Sequence, residues 1–252
     1  MQRTKEENKD LKETLALACR ILGTHGHDDL NLGHLSARVN SQADTMYMKG
    51  RGLCLSEVFP EDLVTIDFNY RKLEGMHEAH GELPIHVEIY KRRKDVNCVV
   101  HTHPIYCTAF SASGQVLRPI NNYGALFARP LPCFDEVTDL IVTPELGQAV
   151  ADRLGDQKAI FLKNHGIVVV GETIEHATVF AHLLELTVKT FFIAKVFGEP
   201  SWTEDEEAEV KAGRIFTGPK MNAMWEALRR QLEYKEAPLR ILKNLENRLP
   251  RQ

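Results

Sequence analysis

Apolar residues recur every three or four positions near the N-terminus, at Leu11, Leu15, Ala18 and Leu22. Residues at this spacing share one face of an α-helix. The pattern predicts a first helix from about Lys5 to Leu22. It should stop near Gly23, because glycine commonly follows the last turn of a helix.

Short apolar segments bounded by turn residues predict strands further along the chain. Residues 32–39 and 45–50 are expected to form a hairpin, and 63–68 a further strand before an Asn69-Tyr70 turn. Residues 158–172 have two apolar arms around Asn164-His165-Gly166, which is typical of a strand, a tight turn and a returning strand.

Helical signals alternate with these strands. Pro84 can occupy a first helical turn, so a helix is expected over 85–93, followed by a strand at 96–103. Pro104 should open the next helix, and Thr173 should cap a long one that reaches about Val196.

Strands in hairpins, mixed with helices, favour a layered α/β class with an antiparallel or mixed sheet. No internal repeat or Gly/Ser linker divides the sequence, so 1–252 is interpreted as one domain. Residues 201–252 are expected to form a helical C-terminal extension, with helix around 220–235.

Composition adds constraints to this picture. The chain has 252 residues, 43% hydrophobic and 26% charged, with a net charge of -4, as in ordinary soluble domains. This balance does not call for nucleic acid or an anionic membrane as a partner. The sequence shows no signal-peptide pattern, and no segment is expected to stay apolar long enough to span a bilayer. We therefore expect a cytoplasmic protein.

The five cysteines, Cys19, Cys54, Cys98, Cys107 and Cys133, are scattered and contain no C-x-x-C pair. An odd number at such spacings argues against a disulfide framework and against a structural zinc knot. They are interpreted as small buried hydrophobic residues.

Two histidines end the predicted strand in VVHTHP. His101 and His103 are two residues apart and therefore point to the same face. His165, at the tip of the later hairpin, is the best candidate for a third ligand. Three neutral imidazoles suit one divalent ion, which could be zinc, manganese, iron or cobalt.

The remaining candidates are weighed by context. Structural roles are expected for four other histidines, namely His25, His27, His176 and His182. A general acid/base is needed beside the metal, and Glu82, between Gly81 and the predicted helix, is preferred over Glu78 in a polar loop. Glu88 is expected on the helix surface in a solvated pair with Lys91 and Arg92.

These motifs resemble the class II aldolase/adducin family from about Asp10 to Gly198. GHLSARV is similar to the family's G-N-x-S-x-R strand, and MKGRGL to its substrate-loop hairpin. GELPIHVEIYKRRKDVNCVVHTHP resembles its catalytic acid, helix and two-histidine strand, and KNHGIVVVG resembles its third-histidine hairpin. The motifs follow the family's order.

The resemblance implies a three-layer α/β/α sandwich on a central, mainly antiparallel sheet. It further implies a homotetramer with active sites at the subunit interfaces and one divalent metal ion per subunit. The metal ligands carry over to His101, His103 and His165, and the acid/base to Glu82. Tyr123 matches a tyrosine that handles a leaving-group proton in a neighbouring subunit's site.

The sequence departs from the family at the positions where its sugar-phosphate aldolases hold phosphate with small donors. His34, Arg51 and His80 stand there instead. These bulkier groups still favour an anion, and Arg51 could form a planar bidentate pair with a carboxylate. Lys49 or Arg38 could share this role.

The leading hypothesis is a metal-dependent carbon-carbon lyase that decarboxylates a small hydroxylated aromatic or heteroaromatic carboxylate, or a related hydroxy or keto carboxylate. Its partner is expected to be a small anionic substrate. One alternative is an aldolase or epimerase of a sugar or sugar-phosphate. Another is a non-catalytic, adducin-like scaffold, which the intact metal histidines disfavour.

Overall fold

A computed structural model describes residues 5–39 and 44–246. The helices are α1 (Lys5–Leu22), α2 (Leu83–Arg92), α3 (Ile105–Ser111), α4 (Pro144–Leu154), α5 (Ile174–Phe197), α6 (Asp205–Ile215) and α7 (Gly218–Glu246). The strands are β1 (His34–Arg38), β2 (Thr45–Lys49), β3 (Leu63–Asp67), β4 (Lys72–Glu74), β5 (Cys98–Thr102), β6 (Cys133–Phe134), β7 (Ala159–Leu162) and β8 (Gly166–Gly171).

The strands form one sheet in the order β4-β3-β2-β1-β5-β8-β7-β6. Neighbouring strands are antiparallel, except that the short β6 runs parallel to β7. The expected sandwich on a mainly antiparallel sheet is confirmed, and the sheet is mixed at one edge.

Alternation along the strands separates the two faces of the sheet. In β1, Leu35 and Ala37 join the apolar core beneath α1 and α5, whereas His34, Ser36 and Arg38 point to the opposite face. That face is covered by α2 and α4, and its apolar core is a separate cluster. The helices of the two layers therefore bury opposite sides of the same strands.

Helix α5 lies in the helical layer that it forms with α1 and packs into the apolar core on that face of the sheet. Thr173 caps it as expected, with its hydroxyl accepting from the backbone N–H of His176 at 3.1 Å. By length and composition alone α5 could cross a membrane, with a mean hydropathy of 1.4, which corrects the expectation that no segment is apolar for long enough. Within the fold, 61% of that apolar window is buried. The core position accounts for its composition.

Several local expectations need correction. Tyr123 immediately precedes a 3₁₀ turn, Gly124–Phe127, and is 43% exposed. Cys54 and Cys133 are only partly buried. Helix α4 was not expected, although Thr143 caps it, accepting from Leu146 N at 3.3 Å, and Pro144 opens it.

Candidate metal and active site

Two chain segments bring the three candidate metal ligands together. Strand β5 delivers His101 and ends just before His103, while the turn between β7 and β8 carries His165. The turn fits closely against the end of β5, since a Cβ on Gly166 would lie 2.5 Å from Thr102 O and 2.7 Å from the His103 ring. Asn164 takes a positive φ of 58° at the tip, which asparagine tolerates. Asn164, which accepts a positive φ, and Gly166, which has no Cβ, thus allow the turn with His165 to pack closely against the end of β5.

The three imidazoles present nitrogens to one point. One ring nitrogen from each of His101, His103 and His165 lies within 4.8 Å of the others, and the Nε2 atoms of the first two are 3.1 Å apart. His101 Nδ1–H donates to Ile167 O at 3.0 Å, which leaves its Nε2 lone pair directed into the cluster. His103 Nδ1 faces the Asp29 carboxylate at 3.2 Å. This arrangement fits a borderline divalent cation.

Electrostatics favour neutral ligands here. Burial lowers the pKa of His103 to about 3 and that of His165 to about 4, and the neighbouring imidazoles add to the effect. A neutral imidazole can bind a metal, whereas an imidazolium cannot. His103 and His165 are therefore neutral and able to bind a cation near neutral pH.

Glu82 lies beside this cluster, immediately before α2. Its Oε1 accepts from Ile141 N at 2.9 Å, and its Oε2 lies 3.4 Å from His101 Nε2 and 3.8 Å from His165 Nε2. Burial alone would raise the pKa of Glu82, but the contacts with His101 and His34 outweigh it and lower the pKa. The carboxylate is therefore ionised and able to accept a proton.

Helix α4 fixes the position of α2 near this carboxylate. A Cβ on Gly147 would lie only 2.5 Å from Pro84 O, so the two helices meet with no space for a methyl group. The contact is two residues from Glu82.

The competing carboxylates lie elsewhere. Glu78 is exposed and pairs with Lys72 Nζ at 2.9 Å. Glu88 is not on a solvated surface as expected: it is 5% exposed and accepts from the Tyr70 hydroxyl and, at 2.7 Å, from Lys91 Nζ. Neither lines the cavity at the metal cluster.

That cavity has a volume of about 780 Å³ and reaches the surface. Glu82, His103 and His165 line one part, and Arg51 and His80 another, with apolar side chains that include Ile105, Leu140 and Val142. The volume and mixed lining suit a small organic ligand. Arg51 is exposed, and no ion pair is found for it within residues 5–39 and 44–246.

The other predicted substrate contacts are placed less favourably. His34 is fully buried and does not line the cavity, so its contact with substrate remains a prediction. Lys49 and Arg38 are not available for this role, which corrects the expectation for both. Lys49 Nζ donates to the carbonyls of Asn31 and Leu53, and the Arg38 guanidinium donates to backbone carbonyls, including Tyr90 O at 2.6 Å. Tyr123 lies outside the cavity lining, and its role at a neighbouring subunit also remains a prediction.

Sequence reasoning missed a buried chain of polar groups behind Glu82. His34 Nδ1 lies 2.7 Å from His86 Nε2, His86 Nδ1 lies 2.7 Å from Ser36 Oγ, and Ser36 Oγ lies 2.8 Å from the Tyr90 hydroxyl. A signal was present. His86 and Tyr90 lie four residues apart on one face of α2, Glu82 lies four residues before His86 at the start of the helix, and all three face alternate residues of β1.

Comparison with known proteins agrees with this geometry. The sequence profile of the Class II Aldolase and Adducin N-terminal domain matches residues 13–192. The chain belongs to the class II aldolase and adducin family.

Relatives within the class II aldolase and adducin family include more than one kind of lyase. The decarboxylase NovR of Streptomyces niveus is 33% identical over 208 residues, 81% of this chain and 76% of that protein. The 3,4-dihydroxyphthalate decarboxylase of Arthrobacter keyseri is 33% identical over 183 residues, 68% of this chain and 73% of that protein. An L-fuculose phosphate aldolase of Methanococcus maripaludis is 30% identical over 184 residues, 73% of this chain and 97% of that protein.

A solved structure of the family has the same fold. The L-fuculose 1-phosphate aldolase from Glaciozyma antarctica PI12 superposes with a TM-score of 0.82 at 23% identity, covering 94% of both chains. At this identity the likeness concerns the fold.

Proposed function

We propose that this class II aldolase-family protein is a metal-dependent decarboxylase of a small hydroxylated aromatic or heteroaromatic carboxylate. The observation that carries the proposal is the convergence of three imidazoles and the Glu82 carboxylate on a cavity that also holds Arg51, which has no ion pair among the described residues. The two decarboxylases among the relatives support the reaction class, and the dihydroxyphthalate substrate of one supports the substrate class.

His101, His103 and His165 would hold the metal, with Glu82 adjacent. A bound divalent metal supplies stabilisation of negative charge on the substrate oxygens. We expect zinc, manganese, iron or cobalt, because imidazole nitrogen suits these borderline ions.

Glu82 carries the proton in this proposal. Its carboxylate, with Oε2 3.4 Å from His101 Nε2 at the edge of the cavity, takes the proton of the substrate hydroxyl. As the carbon-carbon bond breaks, CO2 leaves and the electron pair stays with the ring carbon. Glu82 then gives its proton to that carbon, and the phenolate oxygen regains a proton from solvent.

Arg51 and His80 orient the substrate. The Arg51 guanidinium is free to bind a carboxylate through two parallel hydrogen bonds. Burial lowers the pKa of His80 to about 4, with Lys49 adding to the effect, so a neutral His80 contributes a hydrogen bond and no charge. Of these two residues, only Arg51 is therefore cationic, and it pairs with one substrate carboxylate.

Assembly and location belong to the same proposal. Apolar side chains at the end of α5 are exposed, at Phe192, Ile193, Val196 and Phe197. Ile105 and Ala109 line both the active-site cavity and the groove next to this patch. A subunit packed there would lie beside the cavity, which supports active sites at a subunit interface. The number of subunits, four, and a cytoplasmic location are parts of the proposal that follow from the family resemblance alone.

The test is a substrate screen on protein stripped with a chelator and reloaded with Mn²⁺ or Zn²⁺. Hydroxybenzoates, dihydroxyphthalates and ketose phosphates are supplied, with CO2 measured by mass spectrometry and aldehydes by a coupled assay. We expect metal-dependent CO2 release from a hydroxyaryl carboxylate. Aldehyde release from a sugar phosphate would favour the aldolase instead, and protein that binds no metal and turns over nothing would favour the scaffold.

A further inference from the structure

A second set of potential ligands lies beside the three-histidine cluster. One atom each from His34, His80 and Glu82 lies within 4.8 Å of the others. His34 Nε2 is 3.8 Å from Glu82 Oε2, the same oxygen that faces His101 and His165. Glu82 therefore stands between two groups of imidazole nitrogens.

Two of these nitrogens are buried without a partner. Neither His34 Nε2 nor His80 Nδ1 makes a hydrogen bond, and the His34 side chain is fully buried. A polar atom left unpaired in the interior destabilises the fold. Such an atom in a native structure calls for an explanation, and a bound ion is one of the explanations.

The separation between His34 and Glu82 fits a shared cation. Nitrogen and oxygen ligands each lie about 2.0–2.2 Å from a borderline divalent metal. Two ligands of one tetrahedral ion therefore stand about 3.3–3.6 Å apart, so the observed 3.8 Å would shorten by a few tenths of an ångström around a shared ion. The same distance is too long for a direct hydrogen bond.

The far side of the His34 ring is also occupied by a hydrogen bond, here to a second imidazole. Its Nδ1 lies 2.7 Å from His86 Nε2, just as His101 Nδ1 is occupied by Ile167 O at 3.0 Å. When Nδ1–H donates, Nε2 keeps its lone pair and points it toward Glu82. His86 Nδ1 in turn lies 2.7 Å from Ser36 Oγ, so two successive hydrogen bonds hold the orientation of the His34 ring.

We propose that His34, His80 and Glu82 form a second divalent-cation site that shares Glu82 with the three-histidine site. Two imidazoles and one carboxylate leave coordination positions open, a set that binds iron(II) and similar transition metals. A substrate anion is a poorer occupant, because His34 is sealed from the cavity. The site goes beyond the proposed decarboxylation and does not depend on which substrate is used.

The test counts bound metal in the whole protein. Chelator-stripped wild type is titrated with Mn²⁺, and free Mn²⁺ is followed by electron paramagnetic resonance. We expect two bound equivalents per chain in the wild type and one in His80→Ala. His103→Ala should lower the count through the first site. His176→Ala, on the first turn of α5 and outside both clusters, is the matched control and should retain two.

A single equivalent in the wild type, or two equivalents retained in His80→Ala, would overturn the second site. His80 is only partly buried, so its variant should fold, and circular dichroism checks this. His34→Asn provides an independent variant and should also bind one equivalent. CO2 release by the singly loaded wild type reports on the proposed function separately, so the two ideas fail independently.

Discussion

In the α5 layer, the buried side chains of Thr178 and Glu185 bond to nearby backbone, whereas between the sheet and α2 four buried side chains bond to one another. Thr178 donates to Ile174 O at 2.7 Å, and the Glu185 carboxylate accepts from the N–H groups that open α3. On the α2 side, His34, His86 and their neighbours form a chain that begins beside Glu82.

The difference separates two uses of a buried polar group. A side-chain hydrogen bond to nearby backbone completes a helix or a turn and involves no further side chain. A chain of side chains is harder to satisfy, since each member depends on the next, and here it leaves His34 Nε2 unpaired next to the acid. The unpaired His34 Nε2 therefore indicates a functional role, and the side-chain bonds to local backbone indicate a structural one.

The largest effect expected on the α2 side is loss of the metal. His103→Ala removes one of three ligands and should abolish stoichiometric metal at the three-histidine site, with folding retained because the residue lies at the cavity wall. Elemental analysis and circular dichroism check both parts. An unchanged metal content would remove His103 from the ligand set.

The second-largest effect is expected from replacing Glu82. Glu82→Gln keeps the shape but cannot carry a proton, so turnover should fall by about a hundredfold or more while the three imidazoles retain their metal. Steady-state kinetics on the substrate found in the screen measures this. Near-normal turnover would assign proton transfer to another group.

A stability comparison tests the two sides directly. His86→Leu leaves His34 Nδ1 unpaired and Ser36 Oγ with only the Tyr90 hydroxyl as a side-chain partner, and should lower the free energy of unfolding by about 1–3 kcal/mol. Thr178→Val removes a bond that leaves no partner stranded, because the helix already uses that carbonyl, and should cost less than about 1 kcal/mol. Urea unfolding of both variants measures these two free-energy changes. Equal costs would contradict the distinction drawn here.

Arg51 should show a smaller effect because it is exposed. Arg51→Thr is expected to lower kcat/KM for the carboxylate substrate by about fivefold, or about 1 kcal/mol, with Arg51→Lys recovering part. No change in the threonine variant would end the carboxylate-clamp interpretation.

The smallest effect concerns pH on the α5 side. Burial, with His182 and His25, lowers the pKa of His27 to about 3 from an ordinary value of 6.5. The unfolded chain therefore takes up a proton first, so this stabilisation is complete above about pH 6.5 and declines as pH falls toward 3. At pH 6 the loss should be less than about 1 kcal/mol. His27→Gln should flatten the pH dependence of urea unfolding in this range, and an unchanged slope would assign it to other groups.

The sequence predicted the parts of the site that follow from local periodicity. His101 and His103 share a face because alternate strand residues do, and the Asn-His-Gly turn placed His165 at a hairpin tip. The structure brings these three together. Their roles stay predictions until metal is measured.

What local periodicity could not predict depends on contacts between distant segments. His86 and Ser36 meet across 50 residues, and only the packing of α2 on β1 makes them neighbours. Glu88 has helix-surface spacing with Lys91, yet Tyr70 from the β3–β4 turn covers it. Arg38 resembled an anion-binding residue until its backbone partners were known. In each case tertiary packing changed the meaning of a local pattern.

The contact of Gly147 with Pro84 O has a mechanical consequence. With no room for even one methyl group, α4 acts as a hard stop against which α2 is seated, two residues from Glu82. Any side chain at position 147 would push α2 away from α4 and would shift the Glu82 carboxylate relative to the three imidazoles.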